Sequence, residues 1–145
     1  AAAASASASS SSSKKAAAAV EQLDLAFVCD TTGSMGGAIR TVQTHLKAVA
    51  EQICASESRD LRLAAVEYKD HCDATVVGVH DFTASVSATK RAIDTWRASG
   101  GGDAPEAVAD GLHAASKLAW RADATKIVVL CADAPPHGLG GACGD

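Results

Sequence analysis

The feature that most constrains this chain is an apolar run, Leu23-Asp24-Leu25-Ala26-Phe27-Val28-Cys29, that stops at Asp30 and gives way to Thr31-Thr32-Gly33-Ser34. A short apolar run bounded by turn residues reads as a strand covered on both faces. Beyond the loop, Ile39, Val42, Leu46, Val49 and Ile53 recur at steps of three and four, one face of an amphipathic helix. Leu61–Tyr68 reads as a second strand, ending at Lys69-Asp70-His71, and Ala74–His80 as a third. The gap between them is too short for a helical crossover, so the third strand must pair antiparallel, as a hairpin. Asp81-Phe82-Thr83 leads into a helix carrying Val86, Ile93 and Trp96. Ser99-Gly100-Gly101-Gly102-Asp103 opens another, with Val108, Leu112, Ala115 and Ala119 on one face. Lys126–Cys131 reads as a fourth strand, two-sided apolar again and followed by Asp133.

The order β-α-β-β-α-α-β implies an α/β fold: a Rossmann-like, doubly wound, mostly parallel sheet with one antiparallel edge strand. Right-handed crossovers place the fourth strand beside the first, on the side away from the second. Ile127–Leu130 is too apolar for an exposed edge, so the fold is expected to be C-terminally incomplete here, with further strands and helices in a parent protein.

Composition sets the outer bounds. At 145 residues the chain holds one domain, and with aromatics at 3% its core must be aliphatic. Residues 1–19, almost all Ala and Ser, read as a disordered tail before a domain over 20–145. The glycine-rich stretch after His137 reads as a flexible end. A net charge of −4 without a basic stripe argues against nucleic-acid binding. No run approaches the ~20 apolar residues of a membrane span. Cys29, Cys54, Cys72, Cys131 and Cys143 are odd in number and irregular in spacing. They read as reduced thiols, which implies a cytoplasmic protein.

In open α/β sheets, ligands bind at the carboxyl ends of the strands where the strand order reverses. Three oxygen-rich loops converge there: Asp30-Thr31-Thr32-Gly33-Ser34, Gly100-Gly101-Gly102-Asp103 and Cys131-Ala132-Asp133. Asp30, Thr32 and Ser34 alternate, so their oxygens can point to one side of an extended loop. A carboxylate and two hydroxyls suit a hard cation such as Mg²⁺. Asp103 and Asp133 are candidates to coordinate directly or through water, and the glycines would let the backbone approach the ion. Each position also has an ordinary use. Ser34 could cap the first helix, and Asp103-Ala104-Pro105-Glu106 has the form of a capping box. Asp70 and His71 read as a solvated loop; His137 and Cys143 could form half of a soft-metal site but lack partners, and a flexible glycine-rich end is the better reading.

Leu25–Met35, with its Asp-x-Thr-x-Ser core, resembles the first motif of von Willebrand factor A domains, and Cys131-Ala132-Asp133 resembles their third loop. The segments DTTGSM, YKDH, HDFT, SGGGDAPEAVADGLHAA and DAPPHG are similar to the von Willebrand A domains attached to alpha-type protein kinases and related intracellular proteins. The resemblance covers residues 23–140. It implies a metal-ion-dependent adhesion site formed by Asp30, Thr32, Ser34, Asp103 and Asp133, holding Mg²⁺ (or Mn²⁺ or Ca²⁺) with one position completed by an acidic side chain of a partner protein. It also implies a fuller, six-stranded sheet. Asp103 departs from the Thr that the family's second loop usually supplies.

The expected function is therefore a cation-dependent protein-interaction module, with any kinase activity in a separate domain. The alternative is a Mg²⁺-dependent phosphotransferase or hydrolase using Asp30 as nucleophile. Against it, position 32 holds Thr rather than a second carboxylate, and no Walker-type Gly-Lys-Thr is present.

Overall fold

The computed structural model describes residues 20–55 and 59–138. The expected tail over 1–19, the glycine-rich end past Gly138 and Cys143 lie outside the described residues. Strand β1 (Glu21–Asp30) is followed by a 3₁₀ turn (Gly33–Gly37), helix α1 (Ile39–Cys54), strands β2 (Arg59–Tyr68) and β3 (Val77–Thr83), helices α2 (Val86–Thr95) and α3 (Val108–Ser116), and strand β4 (Thr125–Cys131). The strands form one sheet in the order β3-β2-β1-β4. β1 pairs parallel with β2, from Glu21–Arg59 to Asp30–Tyr68, and parallel with β4, from Leu23–Thr125 to Cys29–Cys131. β3 runs antiparallel to β2 at the edge. This is the expected Rossmann-like sheet, with β1 at its centre.

Alternation along β1 sends successive side chains to opposite faces, each closed by helices. Leu23, Leu25, Phe27 and Cys29 pack with Ile39, Leu46 and Ala50 of α1, Ile93 of α2 and Trp96. Ala26 and Val28 pack with Val108 and Ala115 of α3 and with Leu118. A strand buried on both sides carries apolar residues at every position, which explains the unbroken run. Asp24 is the exception, fully buried. Its carboxylate accepts from Arg62 Nε at 3.0 Å and Nη2 at 2.7 Å, from Arg121 Nε at 2.9 Å and from the Arg121 amide at 2.8 Å. Burial pushes this carboxyl up, but the two guanidiniums and the amide outweigh that and bring it down to about 2.

Several boundaries differ from the sequence reading. β3 is displaced to Val77–Thr83, so Asp81-Phe82-Thr83 is strand rather than a lead into a helix. Phe82 meets Trp120 edge-on at 4.6 Å, a tertiary contact with no local signal. α3 begins at Val108 with Ala107 as its N-cap and no side-chain cap bond, so Asp103 and Glu106 do not form a capping box. The buried face of α3 is Val108, Gly111 and Ala115, and Leu112 is exposed. Cys72 is disulfide-bonded, against the expectation of uniformly reduced thiols, while Cys29, Cys54 and Cys131 are free. β4 leaves Ile127, Val128 and Leu130 exposed along the sheet margin. Among the described residues, no helix is long and apolar enough to cross a membrane.

Candidate metal centre

Asp30 ends β1 between the ends of β2 and β4, at the point where the chain leaves the central strand for opposite sides of the sheet. Its Oδ1 accepts from the Thr32 amide at 2.8 Å and from Thr32 Oγ1 at 2.7 Å. Thr32 Oγ1 lies 3.2 Å from Ser34 Oγ, and Ser34 Oγ donates to Asp133 Oδ1 at 2.9 Å. Four of the five expected ligands thus form one connected row of oxygens. It runs from fully buried Asp30 and Thr32 to exposed Ser34 and Asp133. Ser34 sits in the 3₁₀ turn, and α1 starts after Ala38 without a side-chain cap bond, so helix capping does not account for Ser34.

The row suits a hard cation. Asp30 Oδ2 is buried and has no hydrogen-bond partner among the described residues. An unsatisfied buried carboxylate oxygen is costly; a divalent cation would satisfy it, and the neighbouring donors are all oxygens.

The loop bearing Asp103 lies against this row through its backbone. The Gly33 amide donates to Gly100 O at 3.0 Å. A Cβ on Gly101 would come within 3.2 Å of Thr32 Cβ. Gly100 and Gly101 have φ of +77° and +80°, the left-handed region that favours glycine. A Cβ on Gly100 would fall 1.9 Å from Asp73 Oδ1. The glycines therefore let the loop close on the β2–β3 connection, where the Gly101 amide donates to Asp73 Oδ2 and the Gly102 amide to Asp70 Oδ2. Lys69 adds a further tie. Its ammonium donates to the carbonyls of Thr31 (2.5 Å), Ser99 (2.5 Å) and Arg97 (3.2 Å), joining the end of β1 to the glycine loop.

Glu106 was missed as a site residue. It forms an isolated parallel bridge with Pro136; its amide donates to Pro135 O at 2.9 Å and its carbonyl accepts from the His137 amide at 3.2 Å. The side chain is buried against Thr32 and Gly101, and Oε2 has no hydrogen-bond partner among the described residues. Burial pushes its carboxyl up to about 7; contact with Thr32 opposes the rise, and the charges of Asp30, Asp70 and Asp73 add to it. The only local sequence cue was that Glu106 is followed directly by the apolar pair Ala107-Val108.

Asp70 and His137 also depart from expectation. Asp70 is fully buried rather than solvated, and His137 Nε2 lies 2.7 Å from Asp70 Oδ1. Burial pushes the Asp70 carboxyl up, but His137 and the amides of His71 and Gly102 hold it below the usual carboxylate range.

The family model for the von Willebrand factor A domain matches residues 24–138. The alpha-protein kinase vwkA of Dictyostelium discoideum is 32% identical over 122 residues, which are 83% of this chain and 20% of that protein. The chain thus spans about a fifth of that relative. Among solved structures, the vWF domain of the type V pili tip protein Mfa5 from Porphyromonas gingivalis aligns with a TM-score of 0.56 at 26% identity, covering 80% of this chain and 39% of that one. The pilus adhesin SpaC from Lactobacillus rhamnosus GG aligns with a TM-score of 0.63 at 18% identity, over 77% of this chain and 14% of that one, a likeness of fold. With the match running from the buried Asp24 to Gly138, across the sheet and all three candidate loops, the chain belongs to the von Willebrand factor A domain family.

Proposed function

We propose that this chain is a divalent-cation-dependent protein-interaction module. Asp30, Thr32, Ser34 and Asp133, with Asp103 directly or through water, would hold one Mg²⁺ (or Mn²⁺ or Ca²⁺), and an acidic side chain of a partner protein would complete the coordination. The observation that carries the reading is the buried, unpartnered Asp30 Oδ2 at the inner end of a row of oxygens that opens to solvent at Ser34 and Asp133. An incompletely neutralised cation there would be an anchor for a carboxylate.

The phosphotransferase alternative needs an accessible nucleophile, and Asp30 is fully buried. Similarity to part of an alpha-kinase supports a domain that accompanies catalysis elsewhere in a longer protein. A cytoplasmic setting accords with free Cys29, Cys54 and Cys131, while the Cys72 disulfide counts the other way.

The test is Mn²⁺ binding followed by electron paramagnetic resonance. Asp133→Ala, at an exposed position, should weaken Mn²⁺ by about tenfold or more without loss of fold, on the scale of losses at metal sites. Equal affinity in wild type and variant would overturn the assignment.

A further inference from the structure

On the far side of the glycine loop, three other side chains converge. One ligating atom from each of Asp70, His71 and His137 lies within 4.8 Å of the other two. Asp70 and His71 come from the connection after β2, and His137 from the segment after β4 that the Glu106–Pro136 bridge holds in place. The imidazoles of His71 and His137 stack with centroids 4.9 Å apart and planes inclined by 20°.

The surroundings are those of a prepared ligand set. Asp70 is fixed by the amides of His71 at 2.6 Å and Gly102 at 3.1 Å. Its side chain is fully buried, and that of His137 is 6% exposed. On the open side, Asp110 Oδ2 lies 2.8 Å from His71 Nε2. An ionised carboxylate only accepts, so His71 Nε2 carries the hydrogen of this contact. A carboxylate behind an imidazole is the pairing that orients metal-bound histidines. A buried carboxylate also needs a cation beside it, and two stacked imidazoles that both became protonated would repel.

We propose that Asp70, His71 and His137 form a second metal site, selective for Zn²⁺ or a similar borderline transition ion over Mg²⁺. Two imidazoles and one carboxylate match that preference, whereas Mg²⁺ takes oxygen ligands. The ion takes the place of the hydrogen between His137 Nε2 and Asp70 Oδ1, and the neutral imidazole then carries its hydrogen on Nδ1. Ligands about 2.0–2.1 Å from a tetrahedral ion lie roughly 3.4 Å apart. The partly exposed His71 therefore has to close by up to about an ångström, and His137 Nε2 and Asp70 Oδ1, now 2.7 Å apart, have to open by roughly half an ångström to admit the ion. The site would tie the β2–β3 connection to the segment after β4, beside but distinct from the oxygen row at Asp30.

The test is Co²⁺ titration of the full chain by visible absorption, with Zn²⁺ competition. The expected result is one equivalent of Co²⁺ giving tetrahedral ligand-field bands that Zn²⁺ abolishes and a large excess of Mg²⁺ does not. His71→Ala, at a partly exposed position, and His137→Gln should each weaken binding by about tenfold or more, with circular dichroism unchanged. Asp133→Ala, which removes a carboxylate from the oxygen row, should keep the bands, so that the two sites fail independently. Absent bands, bands unchanged in both histidine variants, or a sulfur-to-cobalt charge-transfer band marking cysteine ligation would overturn the proposal.

Discussion

Ser34 donates its hydroxyl to Asp133 at 2.9 Å, joining two residues 99 positions apart in the chain. That bond links the loop leaving β1 to the loop leaving β4 across the carboxyl end of the sheet. Both residues are exposed, so the link contributes only about 1 kcal/mol to folding. Ser34→Ala should therefore leave the denaturation midpoint nearly unchanged while weakening Mg²⁺ binding. Paired urea melts and Mg²⁺ titrations of wild type and variant check this; a large loss of stability with unchanged affinity would assign Ser34 to the fold alone.

Gly111 lies on the buried face of α3, where it lets the helix approach Tyr68. A Cβ at that position would sit 2.6 Å from Tyr68 Cδ1. Helix propensity alone favours Gly→Ala by roughly 1 kcal/mol. The clash is with a fully buried ring in a filled core, and overpacking costs about 1–3 kcal/mol. Gly111→Ala should destabilise the domain by up to about 2 kcal/mol in urea denaturation, and a stabilised variant would show that α3 has room to move.

Asp24 sets an acid limit. Its folded-state carboxyl lies at about 2, below the unfolded value of about 3.9. The group therefore adds stability above pH ~4 that is lost as pH falls through that window towards 2. The shift corresponds to roughly 2.5 kcal/mol. Asp24→Asn should remove this part of the acid dependence and lower stability at pH 7, because it leaves Arg62 and Arg121 without their buried anion. Urea midpoints between pH 2 and 7 for both proteins measure it, and parallel pH profiles would refute the assignment.

Lys69 gathers the carbonyls of Thr31, Arg97 and Ser99. Lys69→Met keeps the aliphatic stem and removes all three bonds. A loss of about 1–3 kcal/mol is expected for the unpaired acceptors, together with weaker Mg²⁺ binding as the Asp30 and Gly100 loops separate. Lys69→Arg should not restore either property, because a planar fork cannot reach three converging carbonyls as a compact ammonium does. Thermal melts and Mg²⁺ titrations of the two variants decide it.

What was legible in the sequence followed local chemistry. The unbroken apolar run of β1 gave its two-sided burial, and the alternation of Asp30, Thr32 and Ser34 put their oxygens in one row. The antiparallel placement of β3 came from the short gap before it. The rest depends on partners distant in sequence. The β3 boundaries answer to Phe82 against Trp120. Glu106 is buried by a bridge to Pro136, and its spacing from Asp103 mimics a helix cap that does not form. His137 gains its partner, Asp70, only because α3 and β4 return the chain to the end of β2. The exposed Ile127, Val128 and Leu130 match the apolar margin that the sequence flagged on β4.

The central claim is that Asp30 holds a divalent cation. Calorimetric titration of the chain with Mg²⁺ and Mn²⁺, comparing wild type with Asp30→Ala, tests it most directly. Saturable binding of one ion in the wild type, lost in a variant that still folds by circular dichroism, is the result predicted. Equal binding by both proteins, or none by either, would contradict it.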